Sequence, residues 1–404
     1  MNVDKKAFFT NDIVDCIIFI FDIMKNIAFL TLLCVCLGNW PLAALKGKDD
    51  DTPENPKPVA AAASLNESQA TTPAMAKAAP RKVVSRPEIF VLNAEACTIM
   101  QSTAPGQAKA KEDLLENAAR AVGLRIMGPL TLPDDTTALM APFANVRSLS
   151  IEDATLDDLL LLPCPDKLES LMLSHSVFQT IQTITHYTNL HTLQLANMSL
   201  RITDQHPNHT DRLAVLTQLH NLRTLNCWTL FTLDDQAPEE RALLIRILDS
   251  NPEIEDFTCA GGVATDVVQA LGNLPLRRLL LMNGEIDNDK LALLPFDTLE
   301  ELRLQGTHTL TNLEPLQGSA LRVFRLHNQA NLDDTLPQVI CSMPHLEELD
   351  LSCCRLTDAH VEPLLQLAPQ LQKLTLVSHT KITETMRQRL QNAFGDKVSL
   401  AIFP

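Results

Sequence analysis

A six-residue pattern, L-x-x-L-x-L, constrains this chain more than any other feature, because it recurs from about residue 146 to the last residue. The clearest copies carry leucine at all three positions: Leu168/Leu171/Leu173, Leu190/Leu193/Leu195, Leu276/Leu279/Leu281, Leu299/Leu302/Leu304, Leu346/Leu349/Leu351 and Leu371/Leu374/Leu376. Looser copies fill the gaps: Val146/Leu149/Ile151, Leu222/Leu225/Cys227, Ile254/Phe257/Cys259 and Leu321/Phe324/Leu326. Successive copies begin 22 to 32 residues apart.

The spacing within each copy predicts a short strand with one apolar side. The last two apolar residues are two positions apart, so they point to the same side of a strand. A single repeat cannot bury that side alone, whereas stacked repeats merge their apolar residues into one continuous core under a parallel sheet. Each chain segment must then return on the opposite side. We predict helices for three returns, at residues 239–249, 359–367 and 383–394.

These repeats resemble the leucine-rich repeat family over about 260 residues. Residues 346–376 look most like the helix-backed subclass of ribonuclease inhibitors and F-box substrate receptors, with Cys354 at its Asn/Cys position. Other repeats depart from the consensus there, with Ser176, Met198, Gly284, Thr307, Gln329 and His379. The resemblance implies an α/β leucine-rich repeat solenoid: a curved parallel sheet of about ten strands backed by helices and loops. It also implies that the protein binds another protein.

Composition supports a large folded core and argues against a nucleic-acid partner. The chain has 404 residues, of which 46% are hydrophobic, and its net charge is −16. A chain of this length and composition can bury a sizeable core. Phosphate binding needs clustered lysine and arginine, so an acidic chain of this kind is not expected to bind nucleic acid.

The first 44 residues resemble a secretory signal peptide preceded by an extension. Read from Met24, the chain has a basic residue at Lys25, an apolar run over Ile27–Leu37 and small residues ending at Ala44. We therefore expect translation to start at Met24 and cleavage to occur near Ala44. The protein would then be exported to the periplasm, the cell surface or the medium. The alternative is an uncleaved N-terminal anchor, and in either case this segment would contact a membrane at least transiently.

The rest of the chain divides into three predicted regions. Residues 45–86 are rich in alanine, proline and threonine and lack aromatic residues, which predicts a disordered linker. Residues 87–145 are predicted to form an N-terminal cap over the first core layer. A small independent domain is the alternative for that region. Residues 146–404 are predicted to be the repeats.

Cysteine usage predicts no disulfide framework. Three of the ten cysteines lie in the N-terminal apolar segment, which leaves an odd number without paired spacing. Cys227 and Cys259 occupy inward strand positions, where a thiol behaves as a small apolar filler. The absence of cysteine-rich caps favours a bacterial exported protein, or a cytosolic protein if there is no signal peptide.

The sequence contains no motif that predicts catalysis. It lacks the glycine-rich phosphate-binding and dinucleotide-binding patterns, G-x-S-x-G, H-E-x-x-H and C-x-x-C. Asp204, His206, His209 and Asp211 lie within eight residues of one another, but spacing alone does not create metal-ligand geometry. We interpret that stretch as a polar loop. No enzyme activity, cofactor or metal is therefore predicted, and a metal-dependent enzyme using this stretch is only a remote alternative.

The candidate binding site is the concave face of the sheet, where the residues between the apolar positions point outward. The first repeats present small residues there, whereas repeats four to nine present tryptophan, arginine and large apolar residues, which often anchor protein interfaces. The predicted ligand-binding residues are Trp228, Arg278, Leu280, Met282, Arg303, Arg325, His327 and Asp350. The alternative is that neighbouring opposite charges, such as Arg303 with Glu301 or Asp350, only pair with each other across solvated strands.

Together these features predict an exported, bacterial leucine-rich repeat protein that binds a protein or glycan ligand on its concave face. The first alternative is an intracellular adaptor of the F-box receptor type, or a host-directed effector that recruits a protein substrate.

Overall fold

The computed structural model describes residues 89–128, 136–201, 209–228, 230–231, 237–306, 309–329, 331–377 and 381–401. They all belong to one compact unit, which spans Lys82–Pro404. The predicted signal peptide (1–44) and linker (45–86) lie outside the described residues.

The strands occur at regular intervals along the described chain. They are β1 Ile89–Leu92, β2 Gly123–Met127, β3 Ser148–Glu152, β4 Thr155–Leu156, β5 Ser170–Ser174, β6 Val177–Phe178, β7 Thr192–Ala196, β8 Ser199–Leu200, β9 Thr224–Asn226, β10 Asp256–Ala260, β11 Arg278–Met282, β12 Glu301–Gln305, β13 Val323–His327, β14 Glu348–Asp350, β15 Lys373–Val377 and β16 Val398–Ala401.

The main sheet confirms the predicted solenoid. Within the described residues its order is β1-β2-β3-β5-β7-β9-β10-β11-β12-β13-β14-β15-β16, so each strand pairs with the strand of the next repeat. All of these pairs are parallel, and equivalent repeat positions are aligned, as Leu279 is with Leu302 and Leu302 with Phe324. Every predicted copy of the pattern forms a strand, and β1, β2 and β16 extend the sheet at its two ends.

The helices lie in the return segments. They are α1 Ala94–Gln101, α2 Ala108–Arg120, α3 Thr137–Met140, α4 His209–Leu213, α5 Pro238–Asp249, α6 Thr265–Gly272, α7 Asn288–Leu291, α8 Leu336–Cys341, α9 Asp358–Val361 and α10 Glu384–Phe394. The helices predicted at 239–249 and 383–394 are confirmed as α5 and α10. The Thr383 side chain caps α10 by accepting a hydrogen bond from the Met386 amide (3.3 Å).

The helix predicted at 359–367 differs from the observed structure. It is divided into α9 and a 3₁₀ helix, Pro363–Leu367. Pro363 has no amide hydrogen to donate to the preceding turn, and its ring crowds the carbonyl four residues earlier, so an α-helix does not continue through it.

A second, smaller sheet lies in the return segments of the first three predicted repeats. Its strands β4, β6 and β8 are parallel, and each follows a strand of the main sheet after a short turn. The sequence analysis missed this sheet, because two-residue strands leave too short a pattern to recognise. The described returns that follow β4 and β6 contain short 3₁₀ helices, Pro165–Lys167 and Gln182–His186.

The core combines the pattern residues and the residue at the Asn/Cys consensus position with apolar side chains of the return segments, such as Tyr187, Leu244 and Leu390. Leu302 and Leu304 are at most 1% exposed, as are most of their equivalents. Ser176 is fully buried, accepts a hydrogen bond from the Ala154 amide (3.1 Å) and donates one to the Ser174 carbonyl (2.8 Å). The Cys354 thiol donates to the Leu326 carbonyl (3.1 Å). These side chains therefore satisfy backbone groups that the turn after each strand would otherwise leave unpaired.

Residues with a left-handed backbone mark the end of most strands in the main sheet. They are Gly128, Asp153, His175, Asn197, Gly261, Asn283, Gly306, Asn328 and Cys353, with φ between 49° and 111°. Each donates its amide to a carbonyl of the next repeat, as Asn283 does to Gln305 (2.7 Å). Glycine and asparagine tolerate this conformation best, which explains their recurrence at this position.

Residues 89–145 contribute β1 and β2 to the main sheet, and β2 pairs in register with β3. Phe90 and Phe143 pack edge to face, with ring centroids 5.3 Å apart. Helix α2 also lies in this region, between β1 and β2 along the chain.

Candidate functional site

The open face of the main sheet is the face opposite the core, and it carries all of the predicted site residues. Three rows of side chains run along this face across β7 and β9–β14. Row 1 contains Thr192, Thr224, Asp256, Arg278, Glu301, Val323 and Glu348. Row 2 contains Gln194, Asn226, Thr258, Leu280, Arg303, Arg325 and Asp350. Row 3 contains Ala196, Trp228, Ala260, Met282, Gln305, His327 and Ser352. The parallel registers align the row members that lie within the strands, and Trp228 and Ser352 follow β9 and β14 at the equivalent repeat position.

The arginines in the centre of the open face are paired with carboxylates. Arg278 donates through Nε to Asp256 Oδ1 at 2.6 Å, and its pKa is raised by this hydrogen bond. The same carboxylate accepts a hydrogen bond from the Thr224 hydroxyl (3.1 Å). Arg303 pairs with Glu301 on its own strand. The charges at this part of the face are therefore balanced locally.

The ionisable residues towards β14 lie next to one another as well. Arg325 Nη2 lies 2.9 Å from Glu348 Oε2, and His327 Nε2 lies 3.1 Å from Asp350 Oδ2. Ser352 donates its hydroxyl to Asp350 Oδ1 at 2.6 Å. Burial of Asp350 would raise the pKa of its carboxyl, but the contacts with His327 and Ser352 outweigh burial and lower that pKa.

Pairing therefore accounts for part of the charge pattern on this face. Arg303 pairs with Glu301, as the alternative of charge pairing predicted. Asp350 lies next to His327 and does not pair with Arg303 in these contacts. Pairs as exposed as these contribute about 0–1 kcal/mol each to stability. Their larger effect is that a ligand meets a surface with little net charge.

The predicted apolar site residues Trp228, Leu280 and Met282 lie on this face, Trp228 just after β9 and the other two on β11, and all three are half-buried. The sequence analysis treated Leu280 and Met282 as exposed, but neighbouring strands cover part of each side chain. In row 3, Trp228 follows the end of β9, the strand between β7 and β10, and Ala260 on β10 is aligned with Met282 on β11. These side chains form an apolar patch beside the paired charges.

A shallow depression of about 280 Å³ lies beside this apolar patch. Its lining includes Gln194, Asn226 and Thr258, which are aligned neighbours in row 2. Asn226 Oδ1 accepts a hydrogen bond from the Trp228 amide (3.1 Å). The sequence analysis did not select these neutral residues, because small polar side chains on a strand usually only face solvent. The signal that could have identified them is their equivalent position in three successive repeats, next to Trp228.

A row of polar residues, whose charges alternate from Arg223 onward, borders the open face just before the strands begin. Its members are Arg147, Glu169, His191, Arg223, Glu255, Arg277, Glu300, Arg322 and Glu347. Neighbours in this row form ion pairs, such as Arg322 with Glu347, whose atoms Nη2 and Oε1 lie 2.8 Å apart. The sequence analysis missed this row, which occupies the second position of the L-x-x-L-x-L pattern. Like charges opposite each other would destabilise the sheet, so the alternation supports the observed register.

Among the residues that the structure describes, no cluster of three histidine, cysteine, aspartate or glutamate side chains is arranged to hold a metal ion. Asp204 and His206 of the predicted polar loop lie outside the described residues, and His209 begins α4. No helix in the described part of the chain is long and apolar enough to cross a membrane.

One leucine-pattern strand per repeat, stacked in a single parallel sheet over a continuous leucine core, gives this chain the fold of a leucine-rich repeat solenoid. It is similar to the crystal structure of an internalin from Listeria monocytogenes, with a TM-score of 0.46 and 16% identity over 77% of this chain and 94% of that one. It is also similar to an internalin C2 from the same organism, with a TM-score of 0.35 and 19% identity over 58% and 92%. At these values the likeness carries no information about ligand or location. No family model matches the chain, and no curated protein matches it.

Proposed function

We propose that this chain is an exported, non-catalytic interaction protein that binds a protein ligand on the open face of its sheet. The observation that carries the proposal is the apolar patch of Trp228, Leu280 and Met282 on a face whose charged residues are otherwise paired. The proposed site extends from Trp228 to the pair of His327 and Asp350.

Two physical arguments support a protein ligand. Aromatic, methionine and arginine residues are enriched at protein interfaces, and a few large side chains supply most of the binding energy. The paired charges around the patch suit the polar rim of such an interface. They can select a partner by charge pattern, although they contribute little energy at an exposed position. A glycan is the other ligand that the sequence analysis left open.

The sequence of the N-terminal region supports export, and the absence of cysteine-rich caps supports bacterial origin. The signal peptide would be cleaved near Ala44, and the linker over 45–86 would then hold the repeats away from a membrane or cell wall. Mass spectrometry of the protein recovered from cell fractions tests this part of the proposal. We expect a mature chain that begins near Leu45 in the exported fraction. A soluble cytoplasmic chain that retains Met1 or Met24 would contradict it.

The binding site is tested with matched leucine variants. The immobilised full chain is used to isolate a ligand, which is then purified and titrated against the wild type, Leu280→Ala and Leu161→Ala. Leu161 is 46% exposed in a return segment, away from the open face. We expect Leu280→Ala to raise the Kd at least tenfold, which corresponds to about 1.4 kcal/mol, and Leu161→Ala to change it less than twofold. Equal effects of the two variants would contradict the proposed site.

A further inference from the structure

We propose that the part of the ligand in the depression is an extended, uncharged peptide segment, whose amide groups bind Gln194, Asn226 and Thr258 while its apolar side chains contact Trp228 and Met282. This inference rests on the proposed function and specifies the partner's chemistry.

Three polar residues of row 2 have hydrogen-bonding groups that are free to bind a ligand. Among the described residues, the Gln194 carboxamide, the Asn226 Nδ2 group and the Thr258 hydroxyl have no hydrogen-bond partner. Gln194 is aligned with Asn226, and Asn226 with Thr258, so the three groups lie side by side on adjacent strands. Adjacent strands are about 4.8 Å apart, which places these groups within reach of one short ligand segment.

These groups are chemically complementary to a peptide backbone. A carboxamide carries one acceptor and two donors, and a peptide group carries one donor and one acceptor. Gln194 can therefore pair with a backbone amide in both directions, and Asn226 can donate to a backbone carbonyl. Because these contacts use the backbone, they hold a peptide without requiring charged side chains.

The charged residues at the depression are already paired with one another. Two ion pairs, Arg278 with Asp256 and Arg303 with Glu301, line the depression, and in each pair the two charges balance. A charged ligand group would lose its hydration there and gain no unpaired opposite charge in return. The surroundings therefore favour a neutral segment.

The arrangement of the rows also favours an extended peptide. Ala260 and Met282 of row 3 are aligned with each other two residues after Thr258 and Leu280 of row 2, and the Trp228 amide donates a hydrogen bond to Asn226 of row 2. An extended peptide projects successive side chains to opposite sides, so one lying along the boundary between the rows directs one set of side chains to the apolar patch. At about 280 Å³, the depression is at the lower limit for pockets that enclose small molecules, which favours a segment lying across it.

The test uses the full chain carrying Trp40→Phe, so that Trp228 is the sole tryptophan. Phage-displayed random 12-residue peptides are selected on this protein, and the synthetic peptides are titrated by Trp228 fluorescence. We expect the selected peptides to be uncharged with at least one large apolar residue. Their Kd should change less than twofold between 50 and 500 mM salt.

Variants then locate the contact. Gln194→Ala and Asn226→Ala should each raise the Kd of the peptides at least tenfold, whereas the control Gln388→Ala, on the exposed face of α10, should change it less than twofold. Circular dichroism shows whether Asn226→Ala still folds, because this substitution removes the acceptor of the Trp228 amide. If it does not fold, Gln194→Ala still tests the inference, since the Gln194 carboxamide bonds no described residue.

Three results would overturn the inference: no peptide is selected, the selected peptides are charged and strongly salt-dependent, or an oligosaccharide array binds where peptides do not. A fourth result would contradict this inference without contradicting the proposed function. If Leu280→Ala weakens the isolated protein ligand but Gln194→Ala and Asn226→Ala do not, the open face remains the binding site and the peptide inference fails.

Discussion

Replacing Asn251 with alanine should destabilise the solenoid more than its position in a loop suggests. Asn251 is fully buried in the segment between α5 and β10. Its Oδ1 accepts a hydrogen bond from the Leu222 amide (3.0 Å), and its Nδ2 donates to the Ile247 carbonyl (2.8 Å). This one side chain therefore joins the end of α5 to the first residue of the pattern copy in the same repeat.

The magnitude follows from the two groups that the substitution leaves unpaired. Each buried donor or acceptor without a partner costs about 1–3 kcal/mol. We expect Asn251→Ala to lower the free energy of unfolding by about 2–4 kcal/mol, allowing for partial relaxation around the small cavity. The control is Asn221→Ala, because exposed Asn221 makes one side-chain hydrogen bond, to the Thr188 carbonyl (2.8 Å). It should cost about 1 kcal/mol or less.

Equilibrium urea unfolding, followed by circular dichroism, measures both variants against the wild type. The reasoning would be refuted if Asn251→Ala unfolded within 0.5 kcal/mol of the wild type, a margin typical of neutral surface substitutions. It would also be refuted if the two asparagine variants were equally destabilised.

Three further predictions concern the backbone, acid stability and thiols. Gly261→Ala should lower the free energy of unfolding by about 1–2 kcal/mol because φ at Gly261 is +111°. Gly106→Ala should not, because an added Cβ has equal space there and the backbone is not left-handed. The pKa of Asp350 is lowered in the folded state, so the ionised carboxylate stabilises the fold above the ordinary carboxyl pKa, and this stabilisation is lost as pH falls through the lowered pKa. In Asp350→Asn, the free energy of unfolding measured in urea should therefore depend less on pH below about pH 4. Burial raises the pKa of Cys259 to about 12 and that of Cys227 well above normal, so iodoacetamide at pH 8 should label neither before unfolding, as peptide mass spectrometry would show.

The repeated sheet was predictable because its signal is redundant. Each repeat carries three apolar positions, so a departure such as Cys227 or Phe324 does not obscure the period. Helix α10 was predictable for a related reason: its cap Thr383 and its buried residues Met386 and Leu390 follow helical spacing. The division at Pro363 shows the limit, because an apolar period of 3.6 residues does not distinguish an α-helix from two shorter helical turns.

The candidate site was predictable as a face but not in its interactions. Alternation along a strand places Arg278 and Leu280 on the same side of the sheet without specifying their neighbours. Those neighbours depend on register between repeats of different length, which pairs Arg278 with Asp256 and covers part of Leu280. The polar row that includes Gln194 became recognisable only once three strands were aligned.

The most direct test of a protein-binding open face is site-specific photocrosslinking to the isolated ligand. Photoreactive benzoylphenylalanine replaces Met282 in row 3 in one variant and Arg389, exposed on α10, in another. The proposed function predicts a covalent adduct with the protein ligand from position 282 and none from position 389. Crosslinking from position 389 with none from position 282 would contradict it and place the interaction on the return side of the solenoid.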